Sequence, residues 1–110
     1  DVVATDRIVK HLAEEMLKGT DIRRLAYEFH YMLAKGVAEM AVAKAGDIKT
    51  AALSGGCYQN KLLTKLTANI LEDNGFRVLL HSMVPPNDGG IALGQALYGM
   101  NRINNCKEDI

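Results

Sequence analysis

A strand-length run, a helix-length run and a second strand-length run follow one another within residues 49–81, and this order constrains the fold more than any other feature. Lys49 to Leu53 reads as a short strand that ends in Ser54-Gly55-Gly56. Gln59 to Asp73 reads as a helix with Leu62, Leu63, Leu66, Ile70 and Leu71 facing inward, closed by Asn74-Gly75. Phe76 to His81 reads as the second strand. A strand–helix–strand unit of this spacing implies a right-handed crossover between parallel strands. The loops after two parallel strands leave at the same edge of the sheet, and ligands in open α/β sheets bind there. The expected fold class is therefore α/β, a βαβ unit with parallel strands flanked by helices. Two glycine-rich loops, Leu53 to Asn60 and Val84 to Gly90, should face one crevice although they lie about 30 residues apart.

The flanking helices are legible from caps and spacing. Thr5-Asp6 offers N-cap chemistry for a helix over 5–18, with Ile8, Leu12, Ala13 and Leu17 at helical steps and Gly19 as a stop. Thr20-Asp21 caps a second helix that runs to Ala45 and ends at Gly46. Its stripe is Ile22, Leu25, Ala26, Phe29, Leu33, Val37, Met40 and Ala41. A last helix spans about 90–103, and Gly94 within it suggests close packing against a neighbour. The whole chain, 1–110, reads as a single domain, helical over 5–45 and βαβα over 49–104.

Composition narrows the function classes. Thirteen basic and thirteen acidic residues cancel, and no Lys/Arg block stands out, so a duplex nucleic-acid partner is not expected. A local anion site is still allowed, because backbone N–H groups can build one. No apolar run approaches the ~20 residues of a membrane span. Cys57 and Cys106 lie far apart, outside any Cys-x-x-Cys pattern, so reduced thiols and a cytoplasmic location are expected. No signal-peptide pattern is seen, and a chain that starts at Asp1 reads as a fragment or a processed product.

The loops carry the candidate chemistry. Gly55-Gly56 permits unusual backbone angles and close approach of a ligand. The helix that follows should point free N–H groups and its positive dipole end at that spot, which suits phosphate or another anion. Ser54 offers a hydroxyl, and Gln59 and Asn60 offer amide donors. The pattern equally allows an ordinary strand-to-helix turn, in which the glycines only relieve crowding. Asp88 in Asn87-Asp88-Gly89-Gly90 is a good N-cap for the last helix and also a hard oxygen ligand for a cation. Pro85-Pro86 stiffens this loop, and a cis X–Pro bond there is open. His11, His30 and His81 form no paired motif and read as surface or packing residues. Cys57 reads as a packing residue rather than a nucleophile, since no base adjoins it.

Taken together, the two loops resemble a known family. Ala52 to Leu63 resembles the Ser-Gly-Gly-Val-Phe-Gln-Asn segment of the hydrogenase-maturation carbamoyltransferases, the HypF family. Pro85 to Ala96 is similar to that family's second C-terminal signature, and Phe29-His30 resembles the helix before them. The similarity spans residues 5–100. The Gly-Gly…Asn pattern is also similar to the second half of the actin/sugar-kinase/Hsp70 fold, shared with TsaD-type threonylcarbamoyl transferases. The resemblance thus implies one lobe of an actin-like ATPase (ribonuclease H-like) fold. It implies use of carbamoyl phosphate and ATP, through a carbamoyl-adenylate, to carbamoylate the C-terminal cysteine of a HypE-type acceptor protein. It assigns Ser54, Gly55, Gly56 and Asn60 to the nucleotide (ATP or AMP), with Gln59, Asn87 and Gly89 beside them. It assigns Asp88 to a divalent metal, Fe, Zn or Mg. Cys57 and Tyr58 replace the family's Val and Phe, in keeping with packing roles.

The family's preceding domains and its metal-binding histidine motif are not in these residues. Weak or no transferase activity is therefore expected of the chain alone, and homodimerisation through exposed apolar surface is a further expectation. Two other readings stay open at this point: a lobe of a sugar or acyl kinase of the same fold, and a non-enzymatic binding or assembly module.

Overall fold

The structure, a computed structural model, describes residues 3–108, with side chains to Asn105. Helix α1 spans Thr5–Leu17 and α2 spans Ile22–Ala45. Strand β1 (Thr50–Ala52) leads through a 3-10 turn (Gly56–Gln59) into α3 (Lys61–Asp73). Strand β2 (Arg77–Leu79) leads through a second 3-10 turn (Asp88–Gly90) into α4 (Ile91–Glu108). The two strands pair in parallel, Thr50 with Arg77, Ala51 with Val78 and Ala52 with Leu79. The α/β class and the parallel βαβ unit are as the spacing predicts. The strands are shorter than expected, three residues each.

Helix α2 starts where Asp21 caps it, its carboxylate accepting from the Arg23 N–H at 2.9 Å. Thr20 plays a different part. Its hydroxyl donates to Glu15 at 2.9 Å and braces the α1–α2 turn. The expected Thr5-Asp6 cap of α1 is not formed. Ala4 is the capping position and no side chain bonds there, because Thr5 and Asp6 already lie inside the first turn. Asp6 still opposes the positive helix end.

The core lies where α2 crosses α3 above the sheet. Ala38, Leu53, Ala68, Leu71 and Phe76 form one buried cluster, with Ala41, Ala45, Ala51, Tyr58, Ile70 and Val78 packed on it. Ala34 and Ala38 are fully buried, and such small residues bring the α2 backbone close to α3. The apolar stripe read from the sequence is therefore rotated. Ile22 and Phe29 sit at the surface, and so does Leu62 of α3. Thr67 takes a buried place instead, its hydroxyl satisfied by the Leu63 carbonyl at 2.8 Å.

Helix α4 departs most from expectation. It runs to Glu108, five residues past the predicted end at 103. Ile91, Leu93, Leu97, Tyr98, Met100 and Ile103 are each more than half exposed. Among the described residues the packing expected at Gly94 is absent: a Cβ there would meet nothing within 4 Å. The side chain of Cys106 lies outside the described ones. Among the described residues, no helix is long and apolar enough to cross a membrane.

Candidate functional site

Both glycine-rich loops leave the carboxyl edge of the parallel pair. The ladder continues for one residue past β1, where the Leu53 N–H donates to the Leu79 carbonyl at 3.0 Å. The chain then turns at Gly55, whose φ of +98° is closed to ordinary side chains. That turn aims the Gly55 N–H at the Pro86 carbonyl, 2.7 Å away. The two loops therefore touch directly. The second loop is closely wound as well: a Cβ on Gly90 would lie 2.9 Å from the Pro85 carbonyl oxygen. All peptide bonds among the described residues are trans, so the cis alternative at Pro85-Pro86 is not realised.

The helix geometry behind the first loop differs from the sequence reading. The chain makes a 3-10 turn at Gly56–Gln59 before α3 begins at Lys61. Asn60 is the N-cap of α3, and its Oδ1 accepts from the Leu62 and Leu63 N–H groups, each at 3.1 Å. The Thr64 N–H goes to the Asn60 carbonyl. Three of the four N–H groups that open α3, those of Leu62, Leu63 and Thr64, are thus satisfied by Asn60. The first bond of the 3-10 turn runs from the Tyr58 N–H to the Gly55 carbonyl. The N–H groups of Gly56 and Cys57 precede it, and a turn of this kind leaves such donors unpaired. An anion at this loop would meet these donors first.

The remaining candidates divide by what they touch. Ser54 Oγ lies 2.8 Å from His81 Nε2, at the end of β2. Gln59 is exposed and lines an open crevice of about 360 Å³ with Leu53, Tyr58, Lys61, Leu80, His81 and Pro86. Asn87 caps the second 3-10 turn, its Oδ1 accepting from the Gly89 N–H at 3.0 Å. The cap expected of Asp88 falls to Asn87, because the helical turn starts one residue earlier than the pattern suggests. Asp88 is exposed, and its carboxylate makes no hydrogen bond or ion pair to the described residues. It fits a single oxygen ligand. Among the described residues no three His, Cys, Asp or Glu side chains gather into a metal site, so further ligands would come from elsewhere. Cys57 is exposed, contrary to the packing role expected, while Tyr58 packs on the core as expected.

Two histidines escaped the sequence reading. His81 reaches Ser54 across 27 positions, and His30 of α2 reaches Asn60 across 30, its Nε2 lying 2.8 Å from the amide nitrogen. Neither spacing makes a local motif. The sequence held only one hint, the Phe29-His30 pair.

A parallel βαβ unit with two joined glycine-rich loops at its carboxyl edge defines a protein of the α/β class. Residues 1–95 match the family model described as "Carbamoyltransferase, Kae1-like Domain, second subdomain", and the chain belongs to that carbamoyltransferase family. It is 42% identical over 82 residues to "Carbamoyltransferase HypF" of Rhodobacter capsulatus, covering 73% of this chain and 11% of that protein. It is 39% identical over 101 residues to "Carbamoyltransferase HypF" of Rhizobium leguminosarum bv. viciae, covering 89% and 13%. Among solved structures it is similar to the crystal structure of T. kodakarensis HypF, with TM-score 0.76, 31% identity, and coverage of 90% of this chain and 13% of that one. The chain spans about an eighth of the length of these relatives. The match to this family sets aside the sugar- or acyl-kinase reading.

Proposed function

We propose that this chain forms one wall of a nucleotide site in a carbamoyltransferase that acts in hydrogenase maturation. The lobe is of the actin-like ATPase type. The full-length enzyme uses carbamoyl phosphate and ATP, through a carbamoyl-adenylate, to carbamoylate the C-terminal cysteine of a HypE-type acceptor. One observation carries the reading: the Gly55 N–H to Pro86 carbonyl bond, which joins the two loops at the sheet edge where α/β ligands bind.

Several residues could serve such a ligand. The Gly56 and Cys57 N–H groups and the Ser54 hydroxyl would face phosphate, and Gln59 would supply an amide from the crevice wall. A Cβ on Gly55 or Gly56 would meet nothing within 4 Å, so the space in front of the loop is open. Asn60 has one amide hydrogen left, after its cap and its bond to His30. Asp88 would give one carboxylate oxygen to a divalent metal shared with residues outside this chain.

Calorimetry on the full-length enzyme tests the assignment. We expect Asp88→Ala to weaken metal-dependent AMP binding about tenfold or more, the loss of one charge-assisted contact of ~1.5–3 kcal/mol. Unchanged metal and nucleotide affinity in that variant would remove Asp88, and with it the second loop, from the site.

A further inference from the structure

We infer that His30 is a positioning residue for the first loop, and that it acts as the neutral Nδ1–H tautomer. The proposal rests on the nucleotide reading for its consequence, though not for its geometry.

The chain of hydrogen bonds admits one assignment. Two backbone donors, the Leu62 and Leu63 N–H groups, point at one atom of the Asn60 side chain, so that atom is the carbonyl oxygen. The other end is therefore the NH₂ group, and it faces His30 Nε2 at 2.8 Å. An NH₂ group only donates, so Nε2 must present its lone pair. The ring proton is then on Nδ1, and Nδ1 lies 2.7 Å from the Ala26 carbonyl, an acceptor. At both ring nitrogens a donor meets an acceptor. The opposite tautomer fails at both ends: it sets Nε2–H against NH₂ and the Nδ1 lone pair against a carbonyl oxygen. A protonated ring fails at the Asn60 end.

The consequence is mechanical. Asn60 alone could cap α3 in any of several side-chain settings. The His30 ring, held by its own helix, fixes the amide plane from the far side. Asn60 closes the 3-10 turn at Gly56–Gln59, its N–H donating to the Cys57 carbonyl at 3.2 Å. His30 therefore ties the central helix α2 to the turn whose N–H groups face the ligand. It touches no ligand itself.

Nitrogen NMR of the His30 ring in the full chain tests the tautomer, and an Nε2–H signature would overturn the proposal. His30→Ala should speed hydrogen exchange of the Asn60 side-chain amide, and His30→Gln, which can still place a carbonyl oxygen near the same point, should restore protection. Unchanged exchange in His30→Ala would also overturn it. With AMP as the probe in the full-length enzyme, His30→Ala should raise Kd about fivefold, equal to one ordinary hydrogen bond, and His30→Gln should stay within about twofold. Equal weakening in both variants would overturn the positioning role. If wild type binds no AMP, the nucleotide reading fails, while the tautomer and amide exchange still decide the His30 assignment.

Discussion

Helices α3 and α4 make an instructive pair, because each follows a glycine-rich loop at the same sheet edge. Helix α3 buries Leu63, Thr67, Ala68 and Leu71. Helix α4 leaves its large apolar residues more than half exposed. The difference comes from chain direction. Helix α3 connects two parallel strands, so it must return across the sheet, and α2 then covers it. Helix α4 follows β2 and, among the described residues, returns to no strand. Apolar content alone does not bury a helix; the connection around it does.

The same deletion placed in each helix breaks or sharpens that comparison. Leu71 is 1% exposed at the centre of the core. Leu71→Ala should cost about 2–5 kcal/mol, through lost apolar contact and the cavity left behind, as read by denaturant unfolding. Leu97 is 58% exposed on α4. Leu97→Ala should change stability by less than about 0.5 kcal/mol in the same assay. A Leu97 variant as damaging as the Leu71 one would mean that α4 is packed in solution, and the contrast would collapse.

The smallest effect lies outside both helices, at the α1–α2 turn, and serves as a control. The Thr20 hydroxyl, and after it Lys18, hold the Glu15 carboxyl below the usual carboxylate range. A depressed folded-state pKa gives stability that is present above the unfolded value and is lost as pH falls through the folded one. Thr20→Val should move the Glu15 titration back up toward the ordinary value by NMR, with no change in the unfolding of the α2–α3 core. A Glu15 titration unmoved by Thr20→Val would rule out the hydroxyl as the cause.

Much of the fold was readable because its signals are local. Asp21 caps α2 and Gly46 ends it, as the residues at each end suggest. The strand–helix–strand order specified parallel pairing and brought the two loops together. The two capping errors share one cause. Thr5 and Asp88 are good capping residues one position away from the cap that forms, since Ala4 and Asn87 stand where the helical turns begin. Residue type sets the preference, and backbone geometry chooses the position.

The sequence by itself determined the α/β class, the two loops and the family to which they belong, because turn chemistry and strand spacing are written within short windows. Only the tertiary structure decided which side chains meet at those loops. His30 and His81 are brought to Asn60 and Ser54 by the packing of α2 on α3 and by the pairing of β1 with β2. Contacts that span 27 and 30 positions leave no periodic mark, since each depends on the placement of a whole element rather than on neighbouring residues.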